Sequence, residues 1–179
     1  YVAASGLARE AGFDGVDIKA CHGYLVSELL AAFTRPDSRY GGSFENRIRF
    51  LVDTSEKIKV GVRGLFVTSR LSVYDSLPYP YGFGVNRDDP GNPDLGEPIR
   101  LIKKLRNIDF PILGISLGIP ASQSHYGRPY DKPLIGQELP DEHPLVGVAR
   151  WLRLTSEIQK AFPTLPVVGA GYSWLRHLF

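Results

Sequence analysis

With 179 residues, 43% of them hydrophobic and 22% charged, the chain has the size and balance of one globular domain able to bury a sizeable core. A formal net charge of +2, with both signs interspersed, makes no electrostatic case for nucleic acid or a membrane surface, and no apolar run approaches the roughly 20 residues that span a bilayer. The single cysteine excludes an internal disulfide and any multi-cysteine zinc or iron–sulfur site within the chain, and points to a reducing compartment, the cytoplasm.

In chain order, Val2 to Ala11 reads as the end of a helix, with Gly12 where helices favour glycine. Phe13 to Ile18 is a short apolar run that predicts a buried strand, followed by Lys19, Cys21, His22 and Tyr24. A helix-length segment leads to the Tyr40-Gly41-Gly42-Ser43 turn. Ser43 is a suitable N-cap, Glu45 complements the helix dipole, and Phe44, Ile48, Leu51, Val52 and Ile58 recur at helical spacing up to Gly61.

A second strand region lies between Val62 and Val73, and a long loop rich in Pro, Gly, Tyr and Asp runs from Tyr74 to Gly96. Pro98 suits a first helical turn, continued by Ile99, Ile102 and Leu105. Pro111 to Leu117 predicts a third strand, and Gly118 to Pro144 a second polar loop. Val148, Trp151, Leu152, Thr155, Ile158 and Phe162 mark the next helix. Leu165 to Val168 is a fourth strand that enters Gly169-Ala170-Gly171 and a helix start near Ser173.

This alternation predicts an α/β fold with parallel strands and right-handed crossovers. Strand starts near residues 13, 62, 111 and 165 imply long repeat units, so the chain has room for about half of a (β/α)₈ barrel. A doubly wound open sheet would show the same pattern. The absence of methionine and an end at Phe179, where a helix is just beginning, lead us to expect a single fragment, residues 1–179, of a longer barrel.

Three constellations have chemical potential. Lys19, His22 and Tyr24 leave one strand end, where the loops of a barrel converge on its active face; the bland alternative is a salt-bridged lysine and a satisfied loop histidine. Arg70, in Ser69-Arg70-Leu71-Ser72, stands near a second strand end, with Arg63 as a competitor and a surface salt bridge as the ordinary reading. Gly169, Ala170, Gly171 and Tyr172 form a strand-to-helix turn whose N–H groups suit an anion, although glycines there also simply make tight turns. Cys21 beside His22 is poor evidence for a nucleophilic dyad, and no metal site is expected. His125 with Tyr126, and Tyr79 with Tyr81, suit either a substrate mouth or ordinary loops, while His143 before Pro144 reads as structural.

The GYL element at 23–25 and YGGSFENRIRF at 40–50 closely resemble the old yellow enzyme family of FMN-dependent oxidoreductases. The resemblance is strongest over residues 12–52 and 165–175. It implies a partial TIM barrel, about four βα units corresponding to strands 4–7, nearer the dienoyl-reductase-like bacterial branch. It also implies FMN, NADH or NADPH as reductant, and a small-molecule substrate carrying an activated double bond or related electrophile, with room for an oligomer in the full-length parent. By that likeness Tyr24 delivers a proton, and His22 holds the substrate's oxygen as second member of a pair. Lys19 replaces the family's usual histidine as first member. Arg70 contacts the flavin, and residues 169–172 hold its phosphate. Two rivals are a Schiff-base aldolase or lyase built on Lys19, and a barrel fragment that by itself binds FMN weakly and is inactive.

Overall fold

Hydrogen bonding in the computed structural model places parallel strands side by side, with helices crossing between them; the structure describes residues 1–132, 135–136 and 138–172. The element order is α1 (Val2–Glu10), β1 (Gly15–Asp17), α2 (Leu25–Leu30), α3 (Phe44–Gly61), β2 (Phe66–Thr68), β3 (Arg70–Tyr74), α4 (Gly96–Asn107), β4 (Leu113–Leu117), α5 (Pro120–Gly127), α6 (Pro144–Ala161) and β5 (Val167–Val168). β1 pairs with β2, and β3, β4 and β5 form a second sheet in that order, every pairing parallel. The two sheets are continuous through Ser69 and through a bridge from Ala20 to Leu71.

The expected elements are present, with corrected bounds. The first strand is shorter than Phe13–Ile18, and Phe13 is 62% exposed rather than buried. Val62 to Leu65 turn out of α3 before any strand begins, and the second strand region is split in two at Ser69. The polar loop after β4 contains α5, whose helical backbone breaks at Gln123. The helix start near Ser173 lies outside the described residues.

One apolar core joins the strands to α3, α4 and α6. It includes Ile18, Leu71, Leu113 and Ile115 from the strands, Leu51, Ile58, Leu101 and Leu105 from the helices, and Trp151 with Leu154 from α6. Alternation along the strands turns Asp17, Lys19, Phe66, Thr68 and Val168 away from that core, leaving the opposite face open. Among the described residues no helix is long and apolar enough to cross a membrane.

The Tyr40–Arg49 segment owes its shape to one buried cation. Ser43 caps α3 by accepting the Asn46 N–H at 3.3 Å. One turn later Arg47, with only 2% of its side chain exposed, donates to the carbonyls of Leu30 (2.6 Å) and Gly42 (3.1 Å) and to Glu97 Oε1 (2.5 Å). The same guanidinium covers the Phe33 ring at 3.8 Å. A planar five-donor fork suits several fixed oxygens at once, so α2, the glycine turn and α4 are held by a single side chain.

The loop after β3 is fastened in a similar way. Asp75, 2% exposed, accepts from Ser72 Oγ (2.5 Å) and from the Phe83 N–H (2.8 Å), and its own N–H donates to the Phe83 carbonyl. Gly84, at φ +69°, sits where any Cβ would collide with the Val73 carbonyl oxygen, so the loop lies flush on the strand.

Two measurements check these assignments. Arg47→Met should cost about 3 kcal/mol or more in urea unfolding, because it strands Glu97 and two carbonyls, whereas Glu97→Gln should cost clearly less. Burial pushes the Asp75 carboxyl up from 3.8 to about 6, so the native state holds this proton where the unfolded chain has released it. Stability therefore falls as pH rises through that window, and Asp75→Asn should gain in melting temperature relative to the parent between pH 4 and pH 6, then keep a constant offset.

Candidate active site

Register decides which side chains share the open face. The offset that pairs Asp17 with Thr68 and Ala20 with Leu71 sets Lys19 level with Arg70, and Arg70 in turn pairs with Gly114 and Gly114 with Val168. Lys19, Arg70, Gly114 and Val168 thus form one row across four neighbouring strand segments. A Cβ built on Gly114 would lie 3.6–3.7 Å from Arg70, so the glycine gives the arginine stem room to cross.

Past this row the chain reverses through two consecutive left-handed residues, His22 (φ +67°) and Gly23 (φ +72°), and the Gly23 N–H donates to Ser27 Oγ at 3.2 Å. The reversal carries the His22 ring towards β4, where Nε2 hydrogen-bonds Ser116 Oγ at 2.8 Å. Tyr24 follows at the start of α2, 61% exposed, with the Lys19 ammonium 3.5 Å from its ring centroid, a cation–π contact. Lys19, His22 and Tyr24 are therefore brought together, with Arg70 beside them.

Burial pushes the His22 imidazole down to about 4, and the Arg70 and Lys19 charges push the same way. His22 is a neutral ring at physiological pH, able to donate or accept one hydrogen bond beyond its link to Ser116. Cys21 is fully buried next to it; burial raises its thiol, and the opposing pull of Arg70, Lys19 and the Ser116 hydroxyl does not overcome that. The thiol stays protonated, which argues against a nucleophilic role.

Below the rim, a hollow of about 410 Å³ is lined by Asp17, Phe66, Thr68, Arg70, Gly114 and Ala170, with Gly169 and Val168 at its far wall. Arg70 belongs to this hollow. Arg63, before β2 begins, stands at the other end of the strands, where its carbonyl accepts from Arg9. Gly169 and Ala170 border the hollow, whereas Gly171 and Tyr172 turn towards α6. At Gly171 (φ +80°) a Cβ would lie 2.7 Å from Trp151 Cδ1, and the Tyr172 hydroxyl donates to Thr155 Oγ1 at 3.4 Å. A larger groove of about 640 Å³ beside α6 contains none of the rim residues.

The remaining candidates are occupied elsewhere. His143 accepts the Leu145 N–H at the start of α6, a structural cap. His125 packs on Tyr126, which in turn meets Arg150 and Tyr74. Tyr79 lies between Phe33 and Arg87, and Tyr81 is 70% exposed. Ser116 is the rim residue that sequence reasoning missed; the signal was a lone hydroxyl within the apolar run Ile112 to Leu117.

The His22 assignment has a direct check. Nitrogen NMR should show a neutral ring with a midpoint near 4, raised in Lys19→Met, where one repelling charge is gone. Because the unfolded chain takes up this proton first, His22 contributes stability above 6.5 that is lost as pH falls towards 4. Ser116→Ala should alter the tautomer ratio, since the bond at Nε2 fixes which nitrogen faces the hollow.

Comparison with known proteins bears on the fold and on the family likeness. Residues 1–80 match the model of the NADH:flavin oxidoreductase / NADH oxidase family. An NADH oxidase from Thermoanaerobacter brockii is 30% identical over 120 residues, 66% of this chain and 17% of the relative. A putative 12-oxophytodienoate reductase 3 from Oryza sativa subsp. japonica is 40% identical over 97 residues, 49% of this chain and 25% of the relative. The chain thus spans a quarter or less of the length of these curated relatives. Among solved structures, the old yellow enzyme homologue from Zymomonas mobilis superposes with a TM-score of 0.55 at 27% identity, covering 93% of this chain and 38% of that one. Sequence and fold lead to the same place: residues 1–80 are similar to the NADH:flavin oxidoreductase / NADH oxidase family, and the fold is similar to that of an old yellow enzyme homologue.

Proposed function

We propose that residues 1–179 form about four consecutive βα units, strands 4–7, of an FMN-binding TIM barrel, and that this barrel uses NADH or NADPH to reduce activated double bonds. The observation that carries the reading is the meeting of Lys19, His22, Tyr24 and Arg70 at one rim, above a hollow bordered by Gly169 and Ala170.

The hollow suits a flavin on two counts. Arg70 supplies a fixed guanidinium at its wall, a favourable neighbour for the edge of a flavin that gathers negative charge, and Gly114 leaves that wall flat. Gly169, Ala170, Gly171 and Tyr172 are the residues we assign to the phosphate end. When bound, FMN would supply two-electron chemistry, accepting hydride from the nicotinamide and passing it to the carbon β to the substrate's electron-withdrawing group.

The chain's own residues divide the rest of the task. Lys19 and neutral His22 donate hydrogen bonds to the substrate oxygen as negative charge builds there. Tyr24 hands the proton of its hydroxyl to the α-carbon, and its exposure lets solvent restore that proton. The alternative, a Schiff base at Lys19, gains nothing from the relatives, which are named as an oxidase, dehydrogenases and reductases.

The test, on the full-length barrel that contains these units, is FMN uptake followed by NADH-driven reduction of 2-cyclohexenone. Tyr24→Phe should lower turnover of the enone by about a hundredfold or more while flavin bleaching by NADH continues. Arg70→Ala should weaken FMN binding by about tenfold or more. A protein that takes up no FMN, or a Tyr24→Phe variant that keeps full enone turnover, would overturn the proposal.

A further inference from the structure

The inference concerns the substrate class of the same site and rests on the reading above. Lys19 and Arg70 project from neighbouring strands onto the open face, level with each other in the sheet register. Among the described residues neither has an acidic side chain within ion-pair distance. The deeply placed arginines elsewhere do: Arg47 holds Glu97, and Arg150 holds Glu142. The carboxylate on the same face, Asp17, spends Oδ1 on the Arg70 backbone N–H at 3.0 Å and forms no ion pair with either cation. His22, the third basic group present, stays neutral. Two cations side by side over a hollow, without a counter-charge of their own, form a place for an anion.

We propose that Lys19 makes this rim selective for an electrophile that itself carries a carboxylate, an α,β-unsaturated acid in its ionised form, over a neutral enone of the same skeleton. A neutral carbonyl would gain only a dipolar contact from the ammonium, whereas a carboxylate gains a charge-assisted hydrogen bond and keeps a second oxygen for His22. The geometry also sets the reacting carbons. Lys19 Nζ rests over the Tyr24 ring, so a carboxylate held there brings its α-carbon, one bond away, to the neighbourhood of the Tyr24 hydroxyl. The step balances as an ordinary double-bond reduction: the π bond breaks, hydride adds at the β-carbon, the Tyr24 proton adds at the α-carbon, NADH or NADPH is oxidised, and the carboxylate leaves unchanged.

The experiment titrates the protein with trans-cinnamate and with trans-cinnamamide, the uncharged analogue, by calorimetry at neutral pH and low salt, with and without FMN. Cinnamate should bind about tenfold more tightly or better, with a preference that shrinks as salt is added. Lys19→Met should reduce the preference to about threefold or less, by weakening cinnamate far more than the amide, while Lys19→Arg retains it. Lys19 is exposed, so neither substitution disturbs the core. Equal binding of the two ligands, a preference that survives Lys19→Met, or binding of neither ligand would overturn the proposal. FMN uptake is scored separately by flavin absorbance. Failure there sinks the oxidoreductase reading, and the ligand comparison without FMN still decides the selectivity.

Discussion

Two backbone hydrogen bonds at Ala20 hold the arrangement on which the rim depends. The Ala20 N–H donates to the Arg70 carbonyl at 2.9 Å, and its carbonyl accepts the Ser72 N–H at 2.9 Å. They fix the offset between the first two strand segments beyond the end of the regular ladder. Side chains on a strand alternate between faces, so a slip of one residue would drive the Lys19 ammonium into the apolar core and turn Ala20 outward. The cost of burying that charge makes the register self-enforcing. Chemistry at the rim and stability of the core are thus two readings of a single pairing.

The helices were legible because their signals are local. Ser43 and the spacing of Phe44, Ile48, Leu51, Val52 and Ile58 mark α3, and the structure buries all of those apolar side chains except Val52, which is half-buried. Val148, Trp151 and Ile158 mark α6 in the same way, whereas Leu152, expected on that face, is 46% exposed and Leu154 is buried instead. Strand limits were harder, because hydrophobic residues at Phe13 and Val62 lie outside the ladder, where the chain is turning. α5 was hidden inside a stretch whose proline and glycine content argued for irregular backbone; its Pro120 sits in a first turn, where proline is tolerated.

The same division applies to the rim. Lys19, His22 and Tyr24 are close in sequence, so their proximity needed only a strand end, and Arg70 needed only a parallel neighbour. Ser116 lies 94 residues from His22, and no local pattern announces that contact. Asp75 stood in a loop dense with polar residues, where nothing separates a buried carboxylate from solvated ones. Gly171 shows the converse. Its glycine is called for by the Trp151 indole packed against it, a demand that a strand-to-helix turn by itself would not reveal.

The interruption at Ser69 has a mechanical consequence. There the regular ladder lapses, and side chains bridge the gap: Ser69 Oγ to the Ile18 carbonyl, Thr68 Oγ1 to the Ile112 carbonyl, and Asp17 Oδ1 to the Arg70 N–H. Each tie crosses to an adjoining segment, so the crease can bend without leaving polar groups unmet. The floor beside Arg70 is thus closed by three short side chains together with the backbone bonds from Ile18 to Thr68 and from Gly114 to Ser69.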